Sequence, residues 1–254
     1  MSKIFGKDET ISHKKNAIRQ INNLIEHSIC TGDYKKANLL AYWIEEFSSY
    51  ISQEKSFDPT RIISYSRGDI VKLNFGFRIG NEYGGLHYAI IIENMNSHND
   101  GIVTVIPLTS YKDGKKINQR SVDLGSELYE KVSARQKVLL DKETENVKSM
   151  QGLYESIRLS VESSEKPDEH VLSVKTKLEK QIQEINADIA NLQRNEREIT
   201  KMKEGSIALV NQITAISKQR IYTPKKSADF LYGISLSNVA MEKLNDKITE
   251  LFLH

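Results

Sequence analysis

The spacing of apolar residues divides this chain of 254 residues into successive helical and extended regions. Between about residues 12 and 56, apolar residues recur at helical spacing in two runs, which Gly32 and Asp33 separate. Glycine interrupts a helix, and aspartate is a favoured N-cap for the next one. Pro59 then disfavours a helical conformation at Asp58. We therefore predict an N-terminal helical hairpin within residues 1–60.

The apolar pattern from residue 64 to residue 125 is that of β-strands. Extended, β-branched runs cover residues 70–75, 86–92, 102–108 and 121–124. The connections that follow the second and third runs are rich in Asn, Asp, Gly and Lys, as polar turns are. We predict a compact antiparallel meander, which is the first part of a small β domain.

Residues 126–203 return to helical spacing. The second half of this region carries apolar residues at alternating intervals of four and three, which is the a/d pattern of a coiled coil. Pro167 and Asp168 lie between the two halves and favour a turn followed by an N-cap. We predict an inserted antiparallel coiled-coil hairpin. Its apolar seam comprises Val132, Leu139, Val147, Met150, Tyr154, Ile157, Val161, Leu178, Ile182, Ile185, Ile189, Leu192 and Ile199.

The last region, residues 204–254, begins with another extended run and ends with an amphipathic helix. The run covers residues 207–213, and the helix is predicted from about Ser237 to Phe252. An antiparallel helical hairpin returns the chain close to the point where it left. We therefore expect this region to complete the β domain that the hairpin interrupts.

The connection between the first two strands is unusually rich in glycine. Glycine lets the backbone adopt positive φ and approach a ligand closely, at an entropic cost. Its glycines and polar residues predict a loop that receives a ligand, and the alternative is a long hairpin connection without a binding role. These residues are Gly76, Gly80, Gly84 and Gly85, together with Arg78, Asn81, Glu82, Tyr83 and His87.

Composition narrows the class of protein. No apolar run approaches the roughly 20 residues that span a bilayer, and the amino terminus lacks the apolar core of a signal peptide. Cys30 is the single cysteine, which excludes an internal disulfide and a cysteine-based zinc site. We expect a cytoplasmic protein without membrane association. The net charge of +2 is too small to indicate nucleic-acid binding by itself.

Several motifs on both sides of the insertion resemble the MazF/PemK family of bacterial toxin ribonucleases. They are Arg67-Gly68-Asp69 before the first strand, the loop at 80–85, the strand that ends at Asn94, and Ile106-Pro107-Leu108-Thr109. Beyond the insertion, residues 205–221 are similar to the family's late strand, and residues 236–252 are similar to its closing helix.

The resemblance implies an α+β fold: a small SH3-like antiparallel β barrel with a C-terminal helix. It also implies a homodimer, a cognate antitoxin protein as partner, and cleavage of single-stranded RNA without a metal or other cofactor. In that reaction the ribose 2′-hydroxyl attacks the phosphate and leaves a 2′,3′-cyclic phosphate. No metal-ligand spacing is present among the six histidines and the carboxylates of the sequence.

The resemblance places the family's catalytic residues on His87 and Thr109. Thr109 matches the family's threonine and is expected to donate a hydrogen bond to a phosphate oxygen. His87 stands where the family has arginine, so a permanent cation is exchanged for a group that can take and give a proton near neutral pH. The alternatives are a structural histidine at the mouth of a strand and an ordinary strand threonine. Thr214 and Tyr88 also depart from the family's pattern.

Two basic clusters are candidates for an RNA-binding channel, with Tyr83, Tyr88 and Tyr111 available to stack on bases. The alternative for any one lysine is an ordinary solvated loop. Together with the loop residues, the predicted RNA-binding set is Arg78, Asn81, Glu82, Tyr83, Lys112, Lys115, Lys116, Arg120, Lys218 and Arg220.

Two other functions remain open at this stage. One is a nucleic-acid-binding or partner-binding module without catalysis, in which the helical regions dock a partner. The other is gyrase inhibition, because the CcdB toxins resemble MazF in fold. The carboxyl-terminal Trp-Gly-Ile associated with that activity is absent from residues 251–254, which makes gyrase inhibition the less favoured function.

Overall fold

A computed structural model describes residues 6–111, 114, 116–163, 168–200, 202–227 and 229–253. The chain divides into two compact units. The first consists of Met1–Asp58 and Asn74–Leu86, and the second of Pro59–Leu73 and His87–His254. The glycine-rich connection, which was predicted as part of the β domain, therefore belongs to the same compact unit as the N-terminal helices.

The first unit contains helices α1 (Lys7–Cys30) and α2 (Tyr34–Gln53). The predicted break between them is confirmed: Asp33 caps α2, and its carboxylate accepts a hydrogen bond of 3.2 Å from the Lys36 N–H. Ser28 in α1 and Ala37 and Leu40 in α2 are buried, whereas most other residues of both helices are exposed. The hairpin thus buries a small core of its own.

The second unit is built on an antiparallel sheet. Its strands are paired in the order β4-β5-β3-β2-β1-β7, and β6 also pairs with β3. The predicted meander holds for β1 to β3, but β4 does not join it, because β5 lies between β4 and β3. The strands are β1 (Ile70–Asn74), β2 (Leu86–Ile91), β3 (Ile102–Ser110), β4 (Val122–Gly125), β5 (Ser206–Ala208), β6 (Thr214–Ser217) and β7 (Ile221–Thr223).

Both faces of this sheet are buried. One face packs in a core cluster with the C-terminal helix α5 (Asn238–Phe252), through Ile70, Ile90 and Ile106 on the strands and Leu244 on the helix. The alternate positions of the strands point to the other face, and they are also buried: Val71, Leu73, Ala89, Ile91, Val103 and Val105. The α+β class is confirmed, and closure of the sheet into an SH3-like barrel stays a prediction.

The inserted hairpin consists of α3 (Glu127–Glu162) and α4 (Glu169–Thr200). The two helices are antiparallel, because the Gln136 side chain donates to the Leu192 carbonyl near the sheet and the Tyr154 hydroxyl donates to Glu179 Oε1 at 2.6 Å farther out. The hairpin starts and returns at adjacent strand positions, since Gly125 of β4 pairs with Ser206 of β5. The insertion therefore leaves the sheet and re-enters it at one place.

The base of the inserted hairpin is part of the sheet's core. Leu128, Val132 and Ile199 are buried in the same cluster as Leu244 of α5. The Glu127 carboxylate accepts hydrogen bonds from Ser237 N (2.5 Å) and Ser237 Oγ (2.9 Å) at the N-cap of α5. Within the part of the chain that the structure describes, no helix is long and apolar enough to cross a membrane.

Candidate functional site

The two predicted catalytic residues lie on neighbouring strands. The pairing of β2 with β3 is antiparallel and joins Ala89 with Pro107 and Ile90 with Ile106. His87 lies two residues before Ala89 and Thr109 lies two residues after Pro107, so both lie just beyond the end of this pairing. Ala89 and Pro107 are directly opposed and present their side chains on the same face of the sheet, and strand alternation places His87 and Thr109 on that face as well. Both side chains are partly exposed at this end of the strands.

The strand on the other side of Thr109 is β5, which follows the insertion. Thr109 is paired with Ile207, and the Tyr111 N–H donates to the Gly205 carbonyl at 2.8 Å. A Cβ atom at Gly205 would lie 2.7 Å from Cβ of Tyr111, so only glycine permits this close approach. The segment after the insertion therefore fixes the backbone on which Thr109 and Tyr111 lie, and Tyr111 packs against that backbone.

The glycine-rich connection, in the other unit, folds tightly on itself. Phe75 N–H donates to the Gly85 carbonyl at 2.9 Å, and Gly85 N–H donates to the Gly76 carbonyl at 2.7 Å. A Cβ atom at Gly84 would lie 2.7 Å from the Gly76 oxygen and 2.8 Å from the Arg78 nitrogen. These contacts are with backbone atoms and cannot be relieved by a side-chain rotation. Glycine at position 84 is therefore a requirement of the loop's conformation.

The predicted RNA-binding residues of this loop have different environments. Glu82 Oε2 accepts a hydrogen bond of 3.1 Å from the Ile79 N–H, which stabilises the turn. The Tyr83 ring packs edge-on against Phe75 with centroids 5.6 Å apart. Arg78 and Asn81 are exposed at the tip. The loop tip thus presents Arg78 and Asn81, whereas Glu82 and Tyr83 also hold the loop together.

The basic residues after β3 are only partly described. Lys112 and Lys115 lie outside the described residues. Lys116 and Arg120 are exposed, and Asn118 Oδ1 accepts a hydrogen bond of 2.9 Å from the Arg120 N–H. In the second basic cluster, which follows β6 and contains Lys218 and Arg220, the Arg220 side chain is half-buried in a short 3-10 helix.

Lys218 was predicted to bind RNA, and this prediction is wrong. The residue is 0% exposed, and its ammonium donates a hydrogen bond of 2.6 Å to the Ser97 carbonyl. The same ammonium lies 5.7 Å from the centre of the Tyr65 ring. Burial lowers the pKa of Lys218, and the carboxylates of Asp100 and Glu93 oppose that effect. A phosphate group cannot reach this cation, which instead ties the β2–β3 connection to the late segment.

Lys72, which the sequence pattern did not single out, also has a distinctive environment. Lys72 of β1 places its ammonium 5.7 Å from the ring centres of both Tyr88 and Tyr222. Such cation–π contacts are stabilising when the ring faces the cation, and Tyr222 is 65% exposed. The sequence feature that could have identified Lys72 is its position in β1 between the apolar residues Val71 and Leu73, both of which are buried. Tyr88 is therefore engaged with Lys72 on its own sheet face.

The β2–β3 connection also forms a polar cleft of about 400 Å³. Its carboxylates accept hydrogen bonds from backbone amides, both at 2.6 Å: Glu93 Oε1 from the Thr104 N–H in β3, and Asp100 Oδ2 from the Ser97 N–H within the connection. Among the residues described, no three His, Cys, Asp or Glu side chains are grouped so that they could hold a metal ion.

The comparisons with known proteins support a family assignment for part of the chain. Residues 66–152 match the family described as PemK-like, MazF-like toxin of type II toxin-antitoxin system. No curated protein matches the chain. The matched range includes β1 to β4 and extends into α3, whereas residues 204–254 lie outside it and their resemblance stays a prediction. Residues 66–152, which contain His87 and Thr109, thus match the model of the PemK-like, MazF-like toxin family.

Proposed function

We propose that this protein is a toxin of a type II toxin-antitoxin system that cleaves single-stranded RNA without a metal ion. The observation that supports the proposal is the position of His87 and Thr109 within the matched range, two residues beyond the paired Ala89 and Pro107 on neighbouring strands. A base and a hydroxyl donor on one sheet face are suited to act on a single phosphate.

In the proposed reaction His87 takes the proton of the ribose 2′-hydroxyl as that oxygen bonds to phosphorus. The bond from phosphorus to the 5′-oxygen breaks, and the 5′-oxygen takes a proton from the imidazolium or from water. The products are a 2′,3′-cyclic phosphate and a 5′-hydroxyl. Thr109 donates a hydrogen bond to a non-bridging phosphate oxygen as negative charge develops on it. An imidazole suits both proton transfers, because its ordinary pKa of about 6.5 lies near neutral pH.

The RNA-binding residues of the proposal exclude Lys218. In the first unit Arg78 and Asn81 are exposed at the loop tip, and in the second unit Lys116 and Arg120 are exposed after β3. Exposed cations beside a single strand bind its phosphates and make the affinity fall with rising salt concentration. A cytoplasmic location, a homodimer and a cognate antitoxin belong to the same proposal.

The deciding experiment is cleavage of a mixed-sequence single-stranded RNA in EDTA, with products mapped by primer extension. We expect cleavage by the wild type, and a loss of at least about 100-fold in His87→Ala, because general acid–base catalysis contributes that much or more. Circular dichroism must be unchanged in the variant. His87→Arg is the informative companion, since it restores the family's cation and removes the proton acceptor. Normal cleavage by His87→Ala would exclude His87 from the mechanism.

A second candidate function is nucleic-acid binding without cleavage, and the observation that favours it is the histidine in place of the family's arginine. Loss of that arginine removes a permanent cation and a bidentate grip on phosphate. Under this alternative the wild type binds RNA or DNA in EDTA, leaves it intact at all pH values, and binds equally well after His87→Ala.

A further inference from the structure

The outward row of α2 is self-complementary. Lys35, Leu39, Tyr42 and Glu46 follow one another at intervals of four, three and four residues, so they lie along a single stripe of the helix. All four are exposed, with Leu39 at 50% and Tyr42 at 66%. The buried residues of α2, including Leu40, lie on the other side of the helix. Leu39 and Tyr42 place apolar surface at the centre of an exposed stripe, and such surface is expected to be buried against another surface.

The order of these residues identifies that surface. Consider two copies of α2 that lie antiparallel about a two-fold axis passing between Leu40 and Ala41. In this arrangement Lys35 of each helix faces Glu46 of the other. Leu39 of each likewise faces Tyr42 of the other. An isologous interface requires this property, because the same patch must serve as both partners. The stripe thus offers two apolar contacts at the centre and two opposite-charge contacts at the ends.

Glu46 is already held in place within its own unit. Its Oε2 accepts a hydrogen bond from Asn74 Nδ2, the last residue of β1. A carboxylate has about four acceptor sites, so it can accept a further bond from a lysine. Fixing one member of an ion pair lowers the side-chain entropy lost when the second member arrives.

We propose that the α2 row of Lys35, Leu39, Tyr42 and Glu46 is a self-association surface whose occupant is the α2 helix of a second copy of this chain. The two helices pack antiparallel and, with both copies of α1, assemble four helices. This association is separate from RNA cleavage and from any contact that the sheet domain makes. A partner with a strongly charged face fits the row less well, because the row carries one positive and one negative residue.

The first test is the mass of the full-length protein in solution by light scattering. The double variant Leu39→Lys/Tyr42→Lys places ammonium groups at the centre of the contact, and its particle is expected to have half the mass of the wild type. The matched control is Ile18→Lys in α1, a residue that is 62% exposed but outside the row. It should keep the wild-type mass. Circular dichroism verifies that all three proteins remain folded.

The second test is a charge exchange that does not depend on the apolar substitutions. Lys35→Glu alone places carboxylates opposite each other, and Glu46→Lys alone places ammonium groups opposite each other, so each is expected to lose the association. An equimolar mixture of these two single variants restores complementary pairs, and it should recover the wild-type mass in an assembly that contains both variants. The double variant Lys35→Glu/Glu46→Lys should also recover it.

Two results would overturn the proposal. One is a wild-type mass equal to that of Leu39→Lys/Tyr42→Lys. The other is a failure of the two single charge variants to associate when mixed. If the row substitutions instead abolish binding of an antitoxin protein and leave the mass unchanged, the occupant is that protein and not a second copy.

Discussion

The two helical hairpins of this chain have similar amphipathic patterns but different relations to a hydrophobic core. The inserted hairpin contributes Leu128, Val132 and Ile199 to the core beneath the sheet. The N-terminal hairpin buries Ala37 and Leu40 within its own unit and leaves large apolar residues such as Tyr42 exposed. An amphipathic stripe therefore indicates that a helix will be covered, but it does not identify the covering element.

The difference follows from the attachment of each hairpin. The inserted hairpin leaves β4 and returns in β5, which are paired strands, so its first and last turns start next to the sheet. Glu127 and Lys131 then bond to Ser237 and Ser235 beside α5. The outer turns have no sheet beside them, and Leu153 and Leu159 are more than half exposed. Only the base of the inserted hairpin is thus structural for the sheet domain.

The largest expected effect on stability comes from removing the base of the inserted hairpin. Deletion of residues 127–202, with Ser126 joined to Lys203 by a Gly-Ser linker, removes three core side chains and the Glu127 contacts to α5. We expect this protein to lose cooperative unfolding in urea. Deletion of residues 141–188, with Leu140 joined to Ile189 by the same type of Gly-Ser linker, keeps the base and should keep the transition. Equal midpoints of urea unfolding for the two deletion variants would show that the base of the inserted hairpin does not stabilise the sheet domain.

A single substitution measures the same contrast on a smaller scale. Leu128 is 1% exposed in the core, and Leu128→Ala is expected to cost about 3 kcal/mol in the free energy of unfolding. Leu159→Ala, on the outer part of α3, should cost less than about 0.5 kcal/mol. Leu40→Ala should destabilise the N-terminal helices, as seen by hydrogen exchange, without moving the urea midpoint of the sheet domain. Similar costs for Leu128→Ala and Leu159→Ala would contradict the comparison.

The smallest expected effect concerns the Glu127 contact and depends on pH. Burial acts to raise the pKa of Glu127, but hydrogen bonds from Lys131 and Ser237 outweigh it and lower the pKa below the ordinary 4.5. A lowered pKa in the folded state means stability that is present above 4.5 and lost as the pH falls through the folded pKa. Glu127→Gln should therefore be less stable than the wild type at pH 7.

Urea titrations of Glu127→Gln and the wild type between pH 7 and pH 3 test the direction in which this contribution to stability changes with pH. The difference in stability should shrink toward the acid end of that range. Glu130→Gln, on the same turn of α3 and exposed, is the matched control, because it removes a carboxylate that does not contact Ser237. A difference for Glu127→Gln that is constant with pH would mean that its carboxylate charge contributes nothing to the contact.

Much of the secondary structure followed from local pattern. The start of α2 at Asp33, the helix after Gly125 and the final helix near Ser237 all agree with the structure, because caps and periodicity act between residues close in sequence. The family resemblance of residues 66–152 was also present in local motifs, and the family comparison confirms it.

The candidate site was less accessible to sequence reasoning. Alternation and motif order could indicate His87 and Thr109, but the pairing of β2 with β3, which brings the ends of the two strands together, is a property of the folded sheet. Lys218 was misassigned because a lysine in a basic segment normally faces solvent. Its burial depends on the Ser97 carbonyl and the Tyr65 ring, which are more than a hundred residues away in sequence.

The sequence by itself indicated the helices, the first four strands, the helical insertion between strands and the family that residues 67–124 resemble. It predicted one extended run over residues 207–213, where the structure has the short strand β5 followed by a 3-10 helix, and it did not predict β6 or β7. Only the tertiary structure decided that β5 enters between β3 and β4, that the base of the insertion belongs to the core, and that residues 74–86 join the N-terminal helices. The physical reason is the separation in sequence over which each effect acts. Backbone preferences and amphipathic periods are set by near neighbours, whereas burial is decided by whichever distant surface covers a side chain.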